Sequence, residues 1–323
     1  MGVLGLFIVI GFVIAKLGIV EKSATAMLSK LENNVFLPAL VLYTFAQNFT
    51  AASLSGSWKL LLFSLIAELI IVPVAICSAK CASKDGFIRR MYTYGLSFSN
   101  FGFMGNAVVQ ALFSPSFYQS YVIFTLPLWT LIYVWGVPGL LIERTEATVK
   151  KSRGARLKAS LRSFVNPMFI ALLIGAVIGV SGLGEILFAL NGGKGIFVTQ
   201  VVKILGDCMS PVAMMMTGIT FAFVDIKQVL SVKSIYAVTA LRLIAYPLVF
   251  GGIALLLKNY VIPLDDTVFN CFIISLAMPL GLNTIVVPAA YGRDTSVPAG
   301  MALVSHALSI ATIPLVMMLF GIG

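Results

Sequence analysis

Two stretches of this sequence set helix-breaking residues and side-chain amides inside otherwise apolar runs. They are Ser97-Phe98-Ser99-Asn100-Phe101-Gly102-Phe103-Met104-Gly105-Asn106 and Met278-Pro279-Leu280-Gly281-Leu282-Asn283-Thr284. Proline has no N–H and glycine weakens a helix, so the backbone can unwind at both places. In lipid, unwound backbone survives only where it is buried in protein or lines a wet cavity. Two such breaks that cross would aim half-helix N-termini and free amides at an anionic group, and Asn100 and Asn283 would add donors without the desolvation cost of a fixed charge. The candidate binding set is therefore Asn100, Gly102, Gly105, Asn106, Pro279, Gly281 and Asn283. The competing reading is that Gly and Asn only allow close helix packing.

The ionisable residues within apolar runs are few. Glu68 precedes Pro73 by five residues and Arg242 precedes Pro247 by five. An acid in lipid needs a partner facing it inside the protein, and Arg242, its counterpart in spacing, is the plainest candidate, so the residues alone read as an ion pair. His306 is the single histidine and reads as a polar core residue ahead of a proton relay. Asp207 has Lys203 one turn earlier, a pair that neutralises itself. Thr44, Gln47, Ser210 and Thr217 are candidates for a cavity wall, although membrane hydroxyls often bond only backbone carbonyls. The Met214-Met215-Met216 run fits adaptable packing. Cys77, Cys81, Cys208 and Cys271 show no metal-ligand spacing and no C-x-x-C pair, so neither a metal nor another cofactor is expected.

The elements that must position these residues follow from composition. The chain has 323 residues, 59% of them hydrophobic and 11% charged, with a mean hydropathy of +1.03. That excludes an ordinary soluble domain. At roughly 20 apolar residues per crossing, the length accommodates about ten helices with short loops. Apolar windows predict them near 3–20, 33–49, 58–79, 91–113, 118–142, 163–182, 195–223, 234–257, 266–290 and 297–321. The run from Val3 has no basic flank and reads as a retained first helix rather than a signal peptide. The net charge of +10 sits between apolar runs without interleaved aromatics, which argues against a nucleic-acid surface. Lys and Arg concentrate in the loops after odd-numbered helices, above all between Glu143 and Arg162. The positive-inside rule then places those loops in the cytoplasm and both termini outside.

This basic linker, 144–162, divides the chain into 1–143 and 163–323, with five helices each. An odd number per half makes the halves face opposite ways, as in transporters built from inverted repeats. Matching positions support a repeat: Asn34 to Pro38 parallels Asp207 to Pro211, with Thr44 and Thr217 six residues later. Glu68 parallels Arg242, and Asn100-Phe101-Gly102-Phe103 parallels Pro279-Leu280-Gly281-Leu282.

The run Ser99 to Ala107, the run Ala277 to Gly292, and Asn33 to Leu40 resemble the fourth-, ninth- and second-helix signatures of the auxin efflux carrier family. The resemblance extends over essentially the whole chain. It implies an all-α, inner-membrane protein of ten transmembrane helices with a bile-acid-symporter-like fold. In that fold helices one, two, six and seven form a scaffold, and the rest form a transport domain around the crossover. It further implies secondary carriage of a small organic anion by an elevator motion, with the carboxylate beside Asn100 and a homodimer formed through the scaffold. Coupling to a proton or sodium at the acid matching Glu68 is its alternative to an ion pair with Arg242. Bacterial relatives suggest malate- or malonate-like substrates, and plant relatives suggest indole acids. One departure stands out: Ala107 occupies a position where the family carries proline, so a break in the fourth helix must rest on Asn100, Gly102 and Gly105.

Two other functions fit parts of the pattern. Gly95-Leu96-Ser97-Phe98 matches a short nucleophile motif for which His306 would be the base, the outline of an intramembrane serine protease, but a repeat has no role there. A channel would also use crossed half-helices, but the rings of repeated carbonyls or charges that line pores are missing from the sequence.

Overall fold

The computed structural model describes residues 2–142, 167–188, 197–223, 227, 231–262 and 264–322. The basic linker at 144–162 lies outside them. The described residues form helices throughout, with no strand beyond a single two-residue bridge. In chain order these are α1 (Gly2–Lys16), α2 (23–48), the short α3 (Ala51–Gly56), α4 (Trp58–Ala82), α5 (Gly86–Ser97), α6 (101–112) and α7 (115–141). Beyond the linker come α8 (Pro167–Val180), α9 (Leu183–Phe188), α10 (197–223), α11 (233–260), α12 (Asp266–Ala277), α13 (Asn283–Ala290) and α14 (Ser296–Leu319).

By length and apolarity, five helical stretches among the described residues are able to cross a membrane: Trp58–Ala82, Pro115–Leu141, Thr199–Phe223, Lys233–Tyr260 and Ser296–Leu319. The shorter apolar helices include Gly5–Lys16, Pro167–Val180 and Asp266–Ala277. The fourth and ninth sequence windows are each split in two, which leaves neither half long enough by itself.

Several boundaries have clear local causes. Asp85 accepts from Ile88 N at 2.7 Å and starts α5 five residues before the predicted window. Ser114 accepts from Phe117 N at 3.3 Å and Pro115 takes the first helical position, so α7 also begins early. The largest correction concerns α2. It begins at Ser23 rather than at 33 and runs through the polar Glu32-Asn33-Asn34 triplet as a π-helical turn, Glu32–Phe36. Pro38 clashes with the carbonyl four residues back in a regular helix, and the widened turn relieves that clash. The same device precedes Pro247 in α11, where Leu241–Ala245 is π-helical.

Packing divides the helices into two groups. α1 lies along Met209–Phe223 of α10, while α8 and the first half of α10 lie along Leu37–Asn48 of α2. The contact is close because glycines face backbone: a Cβ at Gly11 would fall 2.0 Å from Met215 O, and one at Gly218 would fall 2.0 Å from Ile8 O. In the second group α4 packs on α5 and α7, and α11 packs on α12 and α14. The groups meet where α13 rests on the first half of α2 and where α14 touches α10. At the first of these junctions Asn33 Nδ2 donates to Val286 O at 3.2 Å.

Candidate functional site

The two interrupted segments meet. After Ser97 the chain turns extended at Phe98 (φ −110°, ψ 112°), passes through Asn100 (φ −79°, ψ 43°) and re-enters helix at Phe101. The second chain leaves α12 through an extended Met278 (φ −70°, ψ 146°). They cross antiparallel, with Ser99 opposite Leu280 and Asn100 N–H donating to Pro279 O at 2.8 Å. Ser99 Oγ donates to Ser275 O at 2.8 Å. A Cβ at Gly281 would lie 3.0 Å from Phe98 O, so this glycine permits the close approach. The fourth-helix break thus forms without proline and lies before Gly102 rather than at it.

Arg242 closes one side of the crossing. The π-helical turn of α11 carries its fully buried guanidinium to three carbonyls: Leu96 O at 3.0 Å, Ser275 O at 3.2 Å and Met278 O at 3.2 Å. Leu96 belongs to the end of α5, and Ser275 and Met278 to the end of α12, so one cation satisfies the C-terminal carbonyls of both half-helices. A positive charge is favoured there because helix C-termini carry partial negative charge. The half-helix N-termini, at Phe101 and Asn283, are left for a group of the opposite sign.

The asparagines are buried and incompletely bonded. Asn283 Nδ2 donates to Tyr94 Oη at 2.8 Å, while its Oδ1 has no partner. Asn100 Nδ2 lies 2.9 Å from His306 Nε2, and its Oδ1 is likewise unpartnered. His306 Nδ1 is 2.8 Å from Ala302 O, which can only accept, so Nδ1 carries the ring proton and Nε2 accepts from Asn100. Asn106 starts the regular part of α6 with Oδ1 buried and unpartnered.

Other expected site residues are placed as follows. Gly102 and Gly105 make room for aromatic side chains of α7, since a Cβ at the first would meet the Trp129 ring at 2.4 Å and one at the second would meet Tyr121 Oη at 2.2 Å. Thr217 is buried, donates to Ala213 O at 2.8 Å and lines a cavity of ≈ 170 Å³ together with Ile8, Met104, Met214, Phe221 and His306. Thr44 is half-buried and does not line this cavity; its carbonyl accepts from Asn48 Nδ2 at 2.8 Å. A second cavity of ≈ 350 Å³ lies further along the same face of α10, lined by Thr220, Lys22, Arg293 and Thr295.

Glu68 and Arg242 line one small cavity of ≈ 10 Å³ with Ser64, Ser97 and Ser99, at the lower limit for a single water. Glu68 Oε1, Ser64 Oγ and Ser97 Oγ have no partner, and Arg242 makes all its hydrogen bonds to carbonyls. Ser97 and His306 therefore form no nucleophile–base pair, because both ring nitrogens are engaged elsewhere. Lys203 Nζ and Asp207 Oδ2 pair at 2.7 Å on an exposed face, as the i,i+4 spacing predicts. The cysteines are free, and no metal-ligating cluster occurs among the described residues.

Two residues exceed their sequence reading. His306 is bonded to Asn100, 206 positions away, a link for which its being the single histidine was the only hint. Glu32 was read as lying before a helix, yet it is fully buried with neither carboxylate oxygen bonded. The signal that marks it is an acid six residues before a proline in an apolar run.

Several helices long and apolar enough to cross a bilayer make this a multi-pass membrane protein. The chain belongs to the membrane transport protein family, whose model matches residues 3–317, and this is the auxin efflux carrier family that its motifs resemble. No curated protein matches the chain.

Proposed function

We propose that this protein is a secondary transporter of a small organic anion whose carboxylate binds at the crossing of 98–100 with 278–282. The observation that carries this reading is the division of labour at the crossing. Arg242 occupies the negative ends of α5 and α12, and the positive ends of α6 and α13 point at the space beside Asn100 and Asn283. The family supplies the transporter class.

Ten crossings arranged as inverted repeats 1–143 and 163–323 give this site its symmetry, with both termini outside the inner membrane. The group formed by α1, α2, α8 and α10 is the scaffold, and the glycine-mediated approach within it supports its acting as one body. The crossover group is the moving domain of an elevator. The cavities along α10 at Thr217 and Thr220 lie on the seam between the two, and the larger one is lined by Lys22 and Arg293 together with Asp294.

A thermal-shift screen of purified protein against mono- and dicarboxylates, with and without sodium, tests the reading because a ligand stabilises the state that binds it. Asn100→Ala is expected to lose the shift given by the best acid while keeping the unliganded melting temperature within a few degrees. An undiminished ligand shift in that variant would move the site elsewhere.

A further inference from the structure

The structure assigns His306 a place in the anion site: one proton on its Nε2 turns the Asn100 amide over and makes carboxylate binding proton-dependent. This rests on the carboxylate reading above.

The argument is one of hydrogen-bond parity. Ala302 O holds the ring proton on Nδ1, so a neutral His306 can only accept at Nε2, and Asn100 must meet it with its Nδ2. That commits one of the amide's two N–H groups to the ring and leaves the buried Oδ1 unbonded. An unbonded acceptor is the wrong group to offer an anion. A proton taken from cavity water onto the Nε2 lone pair makes both ring nitrogens donors. Nε2–H then opposes the Asn100 NH₂, and a half-turn of the amide resolves the conflict. Oδ1 accepts from Nε2–H, and Nδ2 swings to where Oδ1 had lain without a partner. One proton thus exchanges an acceptor for a donor pair and places a cation on the wall of the ≈ 170 Å³ cavity. Both changes favour an anion, and when the anion leaves the proton returns to water.

The surroundings leave this role to the ring. Around it the cavity presents Ile8 of α1, Met104 of α6, and Met214, Thr217 and Phe221 of α10, none of them charged. Among the titratable residues on elements packed against α14, Arg242 of α11 is bonded to carbonyls, Tyr94 of α5 accepts from Asn283, and Tyr92 of α5 is bonded to Ser234. Tyr246 of α11 is bonded to Ser78, and Cys271 of α12 is a buried free thiol. None of them is bonded to the imidazole, whose partners are Asn100, Ala302 and Ser305.

Because the chain has one histidine, ring ¹⁵N spectra of histidine-labelled protein in nanodiscs report on this residue alone. The expected spectrum above the titration point is that of the Nδ1–H tautomer, converting to imidazolium as pH falls. Malonate, malate and indole-3-acetate are then titrated by calorimetry between pH 5 and 9. The complex holds one more proton than the free protein, so affinity should fall about tenfold per pH unit above the ring's titration point. His306→Gln, which can meet Asn100 in either orientation but takes up no proton, should bind with a flat pH profile. An Nε2–H tautomer, a ring that never titrates in that range, or a wild-type pH profile retained in His306→Gln each overturns the inference while leaving carboxylate binding intact. If none of the three acids binds the wild type at any pH, the carboxylate site itself falls, and the switch with it.

Discussion

Gly11 and Gly218 let α1 and α10 approach until a methyl group on either would strike a carbonyl oxygen, and every backbone bond there stays within its own helix. At the crossing of 98–100 with 278–282 the helices surrender their own bonds, and freed backbone groups find partners on other elements, Asn100 N–H on Pro279 O and the carbonyls of Leu96, Ser275 and Met278 on Arg242. In the first region no buried side-chain oxygen or nitrogen among the described residues is left unbonded. The second holds buried oxygens on Glu68, Ser97, Asn100 and Asn283 that are unbonded in this state. Unpaired buried polar groups are costly, so their concentration at the crossing marks a place where partners change with state or ligand.

The sharpest way to break the contrast is Arg242→Met. Ser275 O keeps its bond from Ser99, but the Leu96 and Met278 carbonyls lose the guanidinium at about 1–3 kcal/mol per orphaned group. Unfolding in detergent should show a loss of roughly 3 kcal/mol or more; a near-normal midpoint would mean that the crossing does not depend on this cation. Gly218→Ala comes next. Its methyl group would force α1 away from α10 at about 1–3 kcal/mol, with no change in ligand affinity if the two regions act separately. A matching drop in affinity would merge them.

Glu68→Gln preserves shape and removes charge. Stability should change by less than about 1 kcal/mol, since no hydrogen bond to Arg242 is lost, whereas the pH dependence of uptake into proteoliposomes should alter if this acid carries a coupling proton. An unaltered profile assigns Glu68 to electrostatic support of Arg242. Lys203→Met serves as the small-effect control. The Lys203–Asp207 pair is exposed, so about 0–1 kcal/mol is expected, and equilibrium unfolding in urea should barely move.

The breaks were legible in the sequence because helix-weakening residues and asparagines are conspicuous in apolar runs, and each does its work within a few positions. Lys203 and Asp207 were legible for the same reason, being one turn apart. The role of Arg242 was only half legible. Its spacing before Pro247 matched Glu68 and suggested an ion pair, but the carbonyls that it serves lie 33 to 146 positions away, beyond any local pattern. The start of α2 was misread because Glu32-Asn33-Asn34 looks like a solvated turn. Burial of Glu32 and Asn33 where α13 packs on α2, with the wider turn ahead of Pro38, keeps the triplet helical, while Asn34 stays exposed and donates to Lys30 O. Gly102 and Gly105 were assigned to the site for their flexibility, whereas their visible task is to seat Trp129 and Tyr121.

The clasp between Asn33 Nδ2 and Val286 O has a mechanical consequence. Any slide of α13 along α2 must first part it, and a neutral bond of this kind contributes only about 1 kcal/mol net. Asn33 Nδ2 also holds Ser29 O at 2.8 Å, so the amide stays seated on its own helix when the other grip opens. This bond is thus weak enough for thermal motion to release, and its amide keeps its place on α2 for re-engagement.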